Sequence, residues 1–124
     1  MEDKEQPVKT RTASGKTTIA PEVLLTIARL TTLSVPGVSR MSEVSGGVNR
    51  LFKRGIGEGV RIEIKADDSV YADLYVILKN DVNIRDVSRE IQHQVARAIS
   101  EMVGMQVGRV NIHIEDIDYP AEAD

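Results

Sequence analysis

A chain of 124 residues with a net charge of −3 and no cysteine is sized for one domain, and the missing thiols exclude a disulfide framework and a thiolate metal site. The longest apolar runs fall far short of the roughly 20 residues that span a bilayer, and the charged opening MEDKEQPVKT does not read as a secretory signal, so the expectation is a soluble, cytoplasmic protein. Glu115 to Asp124 carries five acids and no base, while Thr17 to Ile114 carries twelve bases and eleven acids, without the basic excess of a protein that grips phosphates.

Residues 1–14 are polar and aperiodic and read as a disordered arm. GKTTIA (15–20) is a short β-branched run, the expected first strand. A helix follows, with Pro21 at its first position, where a missing N–H costs nothing, and Glu22 in its first turn. Val23, Leu24, Ile27, Ala28 and Leu30 give it a wide apolar face, and Pro36 and Gly37 stop it. GVSRMSEV (37–44) reads as a second strand. The stretch over 44–59 is rich in glycine and reads as a loop. Val60, Ile62 and Ile64 alternate with Arg61, Glu63 and Lys65, and after the turn DDS the run Val70, Ala72, Leu74, Val76, Leu78 alternates again, so the two form a hairpin.

Asn83 is an N-cap candidate for a second helix. Its apolar stripe is expected at Ile84, Val87, Ile91, Val95, Ala98 and Met102, and Gly104 ends it. The last strand turns Val110, Ile112 and Ile114 inward. Val107 has the wrong parity for that face, which predicts a bulge or bend near Gly108. Ile91 and Ile112 are therefore expected in the core. The fold class is α+β: a two-layer sandwich in the order β-α-β-β-β-α-β, with both helices on one face of a mainly antiparallel sheet. One domain spans 15–117, followed by an acidic tail over 118–124.

No arrangement of residues carries catalysis. Gly55, Gly57 and Gly59 precede a strand, whereas a phosphate-cradling loop must open a helix. His93 and His113 lack the clustered partners that a metal needs, although Asp116 and Asp118 stand near His113. No serine sits in a nucleophile elbow. The reading is a protein without catalytic residues, cofactor or metal. Arg85, Arg89, His93 and Arg97 recur every four residues and share a helix face, a ridge suited to an acidic partner or to phosphates, though such runs are usually solvated. Arg50, Lys53 and Arg54 around Leu51 and Phe52 make a second basic cluster, suited to an anionic membrane surface or a partner groove. Tyr71, Tyr75 and Ile77 occupy the outward side of the strand after DDS, a patch that points to self-association through the sheet, the alternative being a lid made by Leu51 and Phe52 of the glycine-rich loop.

The stretches GKTTIAPEVLLTIARLTTLSVPGVSRMS, GVRIEI and VYADLYVILKNDVNIRDVSREIQHQVARAISEMVGMQVGRVNIHIEDI resemble the alkaline shock protein family, also called the envelope stress response family. Its most specific elements here are VPGV (35–38), Val82 to Ile84, the helix from Gln92 to Met102, and VNIHI (110–114). The family often carries a glycine where Asn80 or Asp81 stands, a place where asparagine tolerates the same left-handed backbone. The resemblance implies a bacterial cytoplasmic protein of envelope or alkaline stress, not a recognised enzyme; self-association is usual in the family, and some members are held at the membrane by a small membrane-anchored partner. The resulting reading is an oligomeric, partner-binding scaffold. A small nucleic-acid-binding module using the helix ridge is the alternative.

Overall fold

The computed structural model describes residues 18–43 and 56–120, the side chains of 56 and 57 excepted. Helix α1 spans Pro21–Leu33. Strands β1 (Val38–Met41), β2 (Ile56–Gly57), β3 (Val60–Ile64) and β4 (Val70–Lys79) follow, then helix α2 (Ile84–Val103) and strand β5 (Val107–Asp118). From α1 onward this is the expected α+β order with one short strand, β2, added. The strand expected over 15–20 lies largely outside the described residues, and Thr18–Ala20 are not in a strand. Of the glycine-rich loop, 44–55 lie outside the described residues, while 56–57 pair with β3.

Strand β4 organises the sheet. On one edge it pairs antiparallel with β3 through Val70–Leu74 and then with β1 through Val76–Leu78. The two short strands meet at Tyr75, whose N–H donates to Gly59 O and whose carbonyl accepts from Ser42 N, both at 2.8 Å. Gly59 occupies that junction with φ 73°, and a Cβ there would stand 2.6 Å from Ser42 O and 2.8 Å from Met41 Cβ. Only glycine combines that left-handed backbone with that approach. On its other edge β4 pairs with β5 along its whole length, and this pairing is parallel. A parallel neighbour requires a crossover, which α2 supplies. The sheet is thus mainly antiparallel, with one long parallel pair.

The predicted irregularity at Gly108 is present: Val70 pairs with Val107 and Tyr71 with Arg109, so Gly108 is the bulged residue. A Cβ on it would collide with the Tyr71 ring. A second bulge falls at Glu115, between the pairs Val76–Ile114 and Ile77–Asp116. Strand β5 ends at Asp118, one residue into the expected tail.

The helix ends follow local rules. Pro21 opens α1. The Asn83 side chain accepts from Asp86 N at 3.0 Å, and Gly104 closes α2 in the left-handed conformation at φ 77°. Asp81 is left-handed at φ 64°, as is Asp68 at φ 67°, a conformation short polar residues adopt at modest cost.

The core lies between the helices and the inward row of β4. Val70, Ala72, Leu74, Val76 and Leu78 are fully buried against Leu24 and Ala28 of α1 and Ile91, Val95 and Ile99 of α2. Five expected core positions are corrected. The buried line of α2 is Val87, Ile91, Val95, Ile99. Steps of four residues wind that line around the helix by about 40° each, so Ile84 and Met102 sit well off it and are exposed. On α1, Leu24, Ala28 and Thr32 turn inward, while Val23 and Leu30 are exposed. Thr32 satisfies its buried hydroxyl on Ala28 O at 2.7 Å. Ile112 faces inward opposite Leu74 but is only partly buried, because β5 forms an edge among the described strands. Ile91→Ala should cost about 2–5 kcal/mol and Ile112→Ala about 1 kcal/mol, in proportion to the smaller area withdrawn from water. Urea unfolding midpoints check this, and equal losses would show that β5 is covered in solution.

Candidate functional site

Both helices pack on the inward face, so among the described residues no helix covers the outward face. Its centre is built by the β4–β5 register. Parallel pairing sets Asp73 beside Asn111 and Tyr75 beside His113. Asp73 Oδ1 accepts from Asn111 Nδ2 at 3.1 Å and lies 3.0 Å from His113 Nε2, a contact that places the proton on Nε2. The Tyr75 ring stacks on the His113 imidazole, with centroids 4.4 Å apart and planes 10° from parallel. Toward β3, Arg61 stands opposite Asp73, and Lys65 Nζ lies 4.7 Å above the centroid of the Tyr71 ring. Tyr71 covers the bulged Gly108.

The result is a half-buried polar and aromatic patch with each side chain oriented by its neighbours. Burial by itself would raise the Asp73 carboxyl. The hydrogen bonds from His113 and Asn111, with the charges of His113 and Arg61, outweigh that and hold it below the usual carboxylate range.

A second cluster closes the C-terminal end of the face. Arg40 on β1 reaches Asp118 on β5, with Nε 2.9 Å from Oδ2, and Ser39 Oγ donates to the same oxygen at 2.6 Å. The pair lowers the Asp118 pKa, chiefly through the hydrogen bond from Arg40. Because β1 and β5 flank β4 on opposite edges, the bridge crosses β4 near Ile77, which pairs with Arg40 on one side and Asp116 on the other. Ile77 is 6% exposed. That corrects the expectation that it lies bare beside Tyr71 and Tyr75. Both tyrosines keep partial exposure.

The remaining sequence candidates fall elsewhere. Arg85, Arg89, His93 and Arg97 lie along the exposed side of α2, and Arg97 Nε bonds Glu101 at 3.0 Å. Arg50, Lys53 and Arg54 lie outside the described residues. His113 finds its partner in Asp73 rather than in Asp116 or Asp118. Among the described residues, no three His, Asp or Glu side chains converge on a metal position. The Asp73–Asn111–His113 set was not recognisable from linear spacing, since Asp73 lies about 40 residues from its partners. The available signal was outward parity in two strands, which becomes a contact only once those strands are neighbours.

Because Asp73 is held below its unfolded value of about 3.9, its stabilisation is complete above that pH and disappears as pH falls through the folded value. The stability gap between the unmutated chain and Asp73→Asn should close as the pH falls into the acid range. Urea titrations across that range check this; a gap that persists unchanged to about pH 2 would mean that the carboxylate charge is not involved.

The chain stands in a recognisable lineage. A YqhY protein of Bacillus subtilis (strain 168) is 32% identical over 111 residues, covering 88% of this chain and 82% of its own. A Streptococcus pyogenes protein is 35% identical over 105 residues, covering 83% and 79%. Both carry the description uncharacterized. Among solved structures, a MamM CTD variant aligns with 78% of this chain and 96% of its own, at 13% identity and a TM-score of 0.49. The profile of the alkaline shock protein 23 family, described by a cell envelope-related function, matches residues 9–119. With that match spanning nearly the whole chain, the protein belongs to the alkaline shock protein 23 family.

Proposed function

We propose that this protein is a non-enzymatic scaffold of the bacterial envelope stress response, working by self-association and by binding a partner near the membrane. The observation that carries the reading is the outward sheet face. Tyr75, His113, Asp73 and Asn111 form an ordered surface that no helix covers among the described residues. Tyrosine supplies contact area with few rotatable bonds, so a pre-oriented tyrosine surface loses little entropy when a partner arrives. Family membership with a cell envelope-related function supports the setting. No helix among the described residues is long and apolar enough to cross a membrane, so in this reading attachment comes through a membrane-anchored partner. The arginine ridge of α2 gives less support to a nucleic-acid reading, because Arg97 is drawn to Glu101 and the chain is acidic overall.

Affinity capture of the full chain from its native cell, with membranes solubilised in detergent, tests the proposal. The unmutated chain should retain a membrane-anchored protein. Tyr75→Glu, which sets a charge in the middle of the stacked pair, should lose it while keeping the same unfolding transition. Retention by a folded Tyr75→Glu variant would move the partner surface elsewhere. Recovery of the unmutated chain with no membrane protein at all would remove the membrane role.

A further inference from the structure

Strand β5 is twelve residues long and pairs with β4 along one edge. Among the described residues no strand pairs with its other edge, where one carbonyl, Val110 O, already accepts from Gln92 Nε2 of α2 at 3.0 Å. An open edge is a template for another strand. Here the template is short and bounded. The bulges at Gly108 and Glu115 interrupt the ladder at either end, leaving Arg109–Ile114 as the regular stretch. Its charges are polarised, with Arg109 at one end and exposed Glu115 and Asp116 just past the other. Along the inward side Val110, Ile112 and Ile114 are packed against the core, and the last two are only partly covered.

We propose that β5 pairs antiparallel with β5 of a second copy about a twofold axis at Ile112, joining two sheets into one. The inference rests on the scaffold reading and supplies its copy-to-copy contact, leaving the tyrosine face to the other partner. The pleat and the charges together select the register. Inward residues must oppose inward residues, so the axis falls on a residue rather than between two, at Asn111, Ile112 or His113. An axis at Asn111 sets Arg109 against His113, and an axis at His113 sets it against Ile117. An axis at Ile112 sets Arg109 against Glu115, twice by symmetry, with Val110 against Ile114 and Ile112 against itself. Opposite charges facing each other across strands are favourable and like charges are not. A parallel pairing in the same register would set Arg109 on Arg109. The arrangement is isologous and closes at two copies.

Charge exchange on the full chain tests the contact. In sedimentation over a concentration series the unmutated chain should dimerise. Arg109→Glu and Glu115→Arg should each weaken the dimer by about tenfold or more, because two facing pairs turn repulsive. The double exchange should restore it, which no general loss of folding would do. The chain has no cysteine, so Ile112→Cys gives an independent readout. Facing Cα atoms in an antiparallel pair lie about 4.5–5.5 Å apart, within disulfide reach. Mild oxidation should link this variant into dimers, while Ser100→Cys, exposed on α2, should stay unlinked. Three results would overturn the edge contact: a monomer throughout the series, a dimer indifferent to both single exchanges, or a double exchange that fails to recover. A dimer dissolved by Tyr75→Glu and untouched at Arg109 would instead assign the copy contact to the sheet face and leave the scaffold reading standing.

Discussion

Strand β4 is hydrogen-bonded on both edges and buries its entire inward row, and the remainder of the molecule is arranged around that condition. A strand can be buried this way only if each edge finds a partner, because unpaired backbone groups away from water are costly. One edge is divided between β1 and β3, which meet at Tyr75 across Gly59. The other belongs to β5. Helix α2 is therefore both the lid on the β4 row and the crossover that delivers β5 in parallel. Its line of Val87, Ile91, Val95 and Ile99 serves both roles, and Gln92 ties helix to strand through Val110 O at 3.0 Å.

The chemistry of the outward face follows from that parallel pairing. An antiparallel partner of the same composition would have run the other way and set other residues beside Asp73. The parallel register brings Asn111 and His113 to one carboxylate and lays Tyr75 on the imidazole. The bulge at Gly108 shifts β5 by one residue at its start and makes room for the Tyr71 ring. The bulge at Glu115 places Asp116 on the outward side beside Ile77. The Arg40–Asp118 bridge spans the same end and ties both flanking strands across β4. It is largely exposed, so its Coulomb energy is small.

Features that depend on neighbours along the chain were legible in the sequence. Proline at the start of α1, the Asn83 cap, the Gly104 stop, the β3–β4 hairpin and the bulge at Gly108 each follow from local rules of backbone and parity. The inward row of β4 was also legible, since period-2 alternation is a property of one strand. Where contact geometry enters, the reading went astray. Ile84 and Met102 match a helical stripe, yet the core takes a line that winds away from both. Ile112 has inward parity, but β5 has a neighbour on only one described edge. Ile77 has outward parity, yet it is only 6% exposed.

The sequence by itself thus determined both helices, the long strands and the family to which the chain belongs, because propensity, capping and periodicity act over a few residues. The tertiary structure alone decided which strands are neighbours and in which direction. That choice is made by the shared burial of β4 and α2, an energy spread over residues far apart in the chain. Asp73 and His113 therefore become a pair only in the folded protein: each was an isolated outward side chain until the crossover through α2 set their strands side by side.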